Sequence, residues 1–284
     1  MISPRKTELA ELLDRILQGG DSPESTDEAH LWTALSSVTD LAVYHQPVAE
    51  LWQSMNFSTK NALAGRIVLQ ILSRPDTHWW SQPIDLHGQA IVKWGSAQPI
   101  SLRLEGVAPA LTQWCEEATG DASQGGEWWS LPISPSIVTT TRIYAGAPTE
   151  VRTREGSFGE EEATIYSVDA NPSRPVLELN DGGTWIDLVN RFPLNVTESR
   201  GAAWGSYADL QTEWFQPDWR LVSRYYSGVH LSIKGYLEAS GALLACDNGH
   251  SLIAGWGPDV TLWLEDCLTI GNATTVGSNR DLLT

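Results

Sequence analysis

The stretch GVHLSIKGYLEASGALLACDNGHSLIAGWGPDVTLWL, residues 228–264, decides how this chain is read. Apolar runs at 229–236, 243–246, 251–256 and 260–264 are separated by turn residues at Gly241, Asn248-Gly249 and Gly257-Pro258. Short β-rich runs punctuated in this way predict four strands in an antiparallel meander. Working outward, 176–179 reads as a strand and 184–190 as a short helix. Residues 137–143 and 164–168 are β-rich, and 85–94 and 100–104 alternate like strands. Residues 109–119 suit a helix, and 121–127 (DASQGGE) a loop. The Gly- and Glu-rich stretch 145–162 is a candidate mobile loop.

Upstream the texture is helical. Leu9, Leu12, Leu13, Ile16 and Leu17 fall on one face of a helix over 7–18, stopped by Gly19-Gly20. Further helices are expected to about Ser37 and over 46–56 and 59–73, the last ended by Pro75. The expectation is one α+β domain over 1–284. A helical N-terminal part (1–75) packs as a layer on a mainly antiparallel sheet (76–270), followed by a tail (271–284). The fragments AAWGSYADL and AGWGPDVTL look alike, but one pair makes no repeat array.

Fourteen Trp stand beside four Phe and two Met. A Trp buries a large apolar surface and keeps one N–H that needs a partner, so these residues serve a core, an aromatic cavity or an interface. The formal net charge of −17 comes from 18 Lys and Arg against 35 Asp and Glu. Nucleic-acid and anionic-membrane binding are disfavoured, because both need clustered cations and Arg152 and Arg154 make only a local pair. Cys115, Cys246 and Cys267 are few, odd in number and far apart, which disfavours a disulfide framework or a zinc site. The charged N-terminus does not read as a signal peptide, no apolar run suits a membrane span, and a cytoplasmic protein is expected. Glycine-rich nucleotide loops, the GxSxG elbow and the HExxH pair are all missing.

Among six histidines, His30 and His45 read as surface or core. His230 and His250, with Asp218 or Asp247, have only weak metal-ligand spacing. His87, in IDLHGQAIVKW shortly after His78-Trp79-Trp80, is a sheet histidine or a polar group in an aromatic cavity. In WFQPDWRLVSRYY, Trp214, Phe215, Trp219, Tyr225 and Tyr226 lie near Arg220 and Arg224. Such a mixture can hold a carboxylate on Arg while the rings stack on a flat substrate, or it can simply cover an edge.

On its size, Trp content and the region around His87, from Arg66 to Leu104, the chain resembles the small actinobacterial family of McbB-type Pictet–Spengler cyclases. The resemblance implies condensation of L-tryptophan with an aldehyde to a β-carboline skeleton, in a cavity at a homodimer interface. It implies a catalytic Glu assisted by Arg and His, and no metal or organic cofactor. His87 matches the family histidine. Leu72 stands where the substrate-binding Arg is expected, with Arg74 two residues on, and Ala97 stands where the catalytic Glu is expected. Two other readings stand beside it: another specialised-metabolism enzyme with an aromatic substrate, and a non-catalytic protein that binds a partner through an aromatic patch.

Overall fold

The structure, a computed structural model, describes residues 75–95, 106–120, 128–153 and 162–276. Its main sheet has eight strands: β1 (Gln89–Trp94), β2 (Thr139–Tyr144), β3 (Ala147–Pro148), β4 (Ala163–Ala170), β5 (Val176–Leu179), β8 (Gly228–Leu231), β11 (Val260–Trp263) and β12 (Leu268–Val276). The order is β12-β4-β1-β2-β11-β8-β5, with β3 paired to β2. Only the β5–β8 pairing is parallel, so the sheet is mixed and mainly antiparallel. Two small sheets pair β6 (Pro193–Asn195) with β7 (Phe215–Pro217), and β9 (Leu244–Cys246) with β10 (Gly249–Ser251).

The α+β class holds, but the described helices are not an N-terminal layer. They are interleaved with the strands: α1 (Val107–Ala118), α2 (Thr149–Thr153), α3 (Gly182–Arg191), α4 (Thr197–Ala208), α5 (Trp219–Val222) and α6 (Ile233–Ala239), with a 3-10 helix at Pro75–Ser81. The helices expected before residue 75 lie outside the described residues, as does the run 100–104. Among the described residues no helix is long and apolar enough to cross a membrane.

Four sequence expectations are corrected. The run 229–236 is not one strand: β8 ends at Leu231, and Ser232 caps α6 by accepting the Gly235 N–H at 3.0 Å. No meander forms, because β9 and β10 are a separate hairpin while β8 and β11 sit side by side in the main sheet. The expected mobile loop at 145–162 contains β3 and α2, with Thr149, Val151 and Thr153 buried. β12 also runs to Val276, so residues 271–276, expected as part of the tail, end a strand. The look-alike fragments part company too, one lying in α4 and the other leading into β11.

Because strand side chains alternate and registered partners share a face, the sheet has two distinct sides. One carries Leu179, Val229, Leu231, Val260 and Leu262 into the main core, where α1, α3 and α6 contribute Leu111, Leu188 and Ile233. Most of the described Trp belong there. Trp185, Trp219 and Trp256 form a triangle with centroids 6.0–6.2 Å apart, and Trp204 meets Trp214 edge-on at 5.7 Å. Four of these five indole N–H groups have named acceptors: Trp185 donates to Ser251 Oγ, Trp219 to the Ser130 carbonyl, Trp204 to the Trp128 carbonyl and Trp256 to the Val260 carbonyl. Among the described residues the Trp surplus is thus largely core, and at these four positions the polar handle is tied.

Candidate functional site

The opposite face of the same strands is polar. Glu178 on β5 is in register with His230 on β8, His230 with Thr261 on β11, and Thr261 with Thr140 on β2. Thr140 then donates to Gln89 on β1 at 2.7 Å and accepts the Trp263 indole N–H at 2.8 Å. A row of polar side chains therefore crosses five adjacent strands. Gln89, Thr140, His230 and Thr261 are all buried, so every unmade hydrogen bond in the row is costly.

At its centre the His230 ring lies between two carboxylates. Nδ1 is 2.5 Å from Glu178 Oε2, and Nε2 is 3.1 Å from Asp259 Oδ1. Both ring nitrogens can donate at once only in the imidazolium. Burial disfavours that charge, but hydrogen bonds and attraction from Asp259 and Glu178 outweigh it, and the ring is pushed up to about 9.

The carboxylates are positioned in turn. Asp259 follows Gly257-Pro258 in the left-handed region (φ 57°), a conformation Asp tolerates better than most residues. It accepts from Thr149 Oγ1 at 2.8 Å and faces Arg142 Nε at 3.4 Å. Glu178 accepts the Ile84 backbone N–H at 2.9 Å through its other oxygen. Arg142 donates to the Pro83 carbonyl at 2.7 Å and lies 5.8 Å from the Trp79 ring, which stacks on Tyr144 at 4.0 Å. The segment from Trp79 to Ile84 thus borders the row with an aromatic pair. Glu178 is the more open carboxylate, with 21% of its side chain exposed against 3% for Asp259. Thr261 Oγ1 is buried and has no hydrogen-bond partner.

The clamp has a pH signature. His230 titrates near 6.5 when unfolded and about 9 when folded, so its stabilisation is full below pH 6.5 and is lost as pH rises through about 9. That span is worth roughly 3 kcal/mol. Urea unfolding between pH 6.5 and 9.5 is expected to show a falling midpoint. A flat midpoint would mean that the ring is not held charged.

Of the residues singled out from the sequence, His230 lies in this row, while the other described ones lie away from it. His87 is on a bend before β1 with its side chain 85% exposed, Nδ1 3.5 Å from Asp169 Oδ1. Leu72, Arg74 and Ala97 lie outside the described residues. In the aromatic–cation segment, Trp214 and Trp219 are core, and Arg220 forms a bidentate pair with Asp218. His250 meets Thr212 rather than a carboxylate, and among the described residues no group of three or more His, Cys, Asp and Glu side chains is arranged to hold a metal ion. Buried Cys115 donates to Asp218, with its thiol pushed up to about 12 by burial and by that carboxylate; it is a poor nucleophile.

Sequence reasoning missed Glu178, Asp259 and Arg142, and took His230 only as a weak metal ligand. A signal was available: VLEL, GVHL and VTLW each carry one strongly polar or hydroxyl side chain in an otherwise apolar strand. No family model, curated protein or solved structure matches this chain.

Proposed function

We propose that the protein is an acid–base enzyme acting on an aromatic small molecule, with Glu178 as the proton-transferring group. The observation that carries this reading is the Glu178–His230–Asp259 line, open to solvent at Glu178 and bordered by the Trp79–Tyr144 stack. A carboxylate bonded to an imidazolium can take the ring proton, pass it to a substrate and later accept one back. His230 stays oriented throughout, because Asp259 holds its other nitrogen.

The first reaction to assay is the Pictet–Spengler condensation of L-tryptophan with an aldehyde, carried out by a cytoplasmic homodimer. Amine and carbonyl join, and a proton delivered to the carbinolamine hydroxyl releases water and leaves an iminium. The indole carbon then bonds to the iminium carbon, and loss of its proton restores the aromatic ring. One group that gives and then takes a proton meets both needs, and Ala97 cannot do so.

A partner-binding role through an aromatic patch has less support. Among the described residues the exposed large hydrophobic side chains are Ile133 and Tyr225.

The test is turnover of L-tryptophan with an arylglyoxal, followed by mass detection of the tetrahydro-β-carboline, the two reactants joined with loss of one water. Glu178→Gln is expected to lower kcat by about 10²–10⁴-fold while the protein stays folded. Ala97→Glu, run beside it, separates the two placements of the carboxyl group. An increase of orders of magnitude there, with Glu178→Gln unchanged, would move catalysis to position 97. A folded natural chain inactive across aldehydes would end the cyclase assignment.

A further inference from the structure

Thr261 stands at the break in the polar row. On one side of it Glu178 and His230 are bonded to each other, and on the other Thr140 and Gln89. Thr261 is in register with both His230 and Thr140, yet its Oγ1 bonds to neither. The residue is 0% exposed, so bulk solvent does not reach that hydroxyl. A buried hydroxyl without a partner is costly, and such groups are usually met by an ordered water. The surroundings have bonding capacity to spare. Thr140 Oγ1 donates to Gln89 and accepts from Trp263, which leaves one of its two lone pairs. Asp259 shares this face, since its Oδ1 meets His230 Nε2. That oxygen also faces Arg142, whereas Oδ2 accepts from Thr149 and has a lone pair left. Thr140 and Thr261 are short side chains between the longer His230 and Gln89, so the row dips over them.

We propose that Thr261 is the anchor of an internal water-binding site. The water accepts the Thr261 hydroxyl proton and donates to Thr140 Oγ1 and Asp259 Oδ2. Three hydrogen bonds to otherwise unused groups are what a buried water commonly makes. The bound water closes the break. Glu178, His230, Asp259, the water, Thr140 and Gln89 then form one hydrogen-bonded chain from β5 to β1, which ties the charged clamp to the neutral half of the row. The inference is independent of the proposed activity.

Oxygen-17 magnetic relaxation dispersion of the full chain counts its long-lived internal waters. Thr261→Val keeps the side-chain shape, removes the hydroxyl and is expected to lower that count by one. Thr261→Ser, which keeps the hydroxyl, should leave the count unchanged. The sign of the stability change is a second reading. Removing a hydroxyl that has no partner stabilises a fold, whereas removing one that holds a water is expected to raise the unfolding equilibrium constant, here by about fivefold. A crystal structure of the natural chain at atomic resolution decides the matter even where the Val variant does not fold. It should place a water oxygen about 2.8 Å from Thr261 Oγ1. An unchanged water count in Thr261→Val, a Val variant more stable than the natural chain, or a crystal structure with no water bonded to Thr261 Oγ1 would each overturn the proposal.

Discussion

Replacing His230 by alanine is expected to cost about 3–5 kcal/mol of folding stability, the range for breaking a buried ion pair by removing one partner. The cost comes less from the lost hydrogen bonds than from what remains. Glu178 and Asp259 would face each other across an empty space, and Asp259 is almost wholly buried. Arg142 and Thr149 would still hold Asp259, which keeps the loss within that range. Urea unfolding at pH 7 checks the size. The double variant His230→Ala, Glu178→Gln should recover part of it, because one of the opposed charges is gone. The His230→Ala protein should also lose the alkaline fall in stability, since the titrating ring has been removed. A loss below about 1 kcal/mol would mean that the clamp is not a charged, desolvated network.

The second large effect is expected at Trp219. Trp219→Ala should cost about 3–5 kcal/mol through lost burial and the cavity left behind. The ring is fully buried, meets Trp185 and Trp256, and donates to the Ser130 carbonyl at 3.1 Å. The Ser130 amide and hydroxyl bond to the Ala254 carbonyl, so Trp219 links α5 through residue 130 to the turn before β11. Trp219→Phe should cost less but not nothing, because it leaves the Ser130 carbonyl without that donor. Tyr225→Ala, six residues on and about half exposed, should change stability little. Equal denaturation midpoints for the Trp219→Ala and Tyr225→Ala proteins would refute this account of the core.

These two residues also show what could and could not be read from the chain. Trp content is a composition signal and carries no position. The surplus suited a cavity, an interface or a core equally, and the structure puts most described Trp in the core, where Trp185, Trp204, Trp219 and Trp256 have acceptors for their N–H groups. Local signals served well where the physics is local. The short helix expected over 184–190 is α3, which starts two residues earlier because Asp181 caps it by accepting the Thr184 N–H at 2.7 Å. The meander failed because β8 and β11 are buried along their whole length, which removes the alternation that marks a half-buried strand. Ser232, a good cap, was the overlooked stop between β8 and α6. The candidate site was hidden for a different reason. Glu178 and Asp259 are 52 and 29 residues from His230, and only strand register and the turn at Asp259 bring them to its ring. His87 drew notice because its neighbours in sequence are aromatic, yet it sits exposed on a bend.

The most direct measurement of the central claim is the protonation of His230 by NMR, using ring ¹⁵N shifts through a pH titration. The account expects both ring nitrogens protonated at pH 7, with a midpoint near 9. It also expects Glu178→Gln to lower that midpoint, because one of the two flanking charges is removed. A His230 ring that is a neutral tautomer at pH 7, or whose midpoint does not respond to Glu178→Gln, would contradict it.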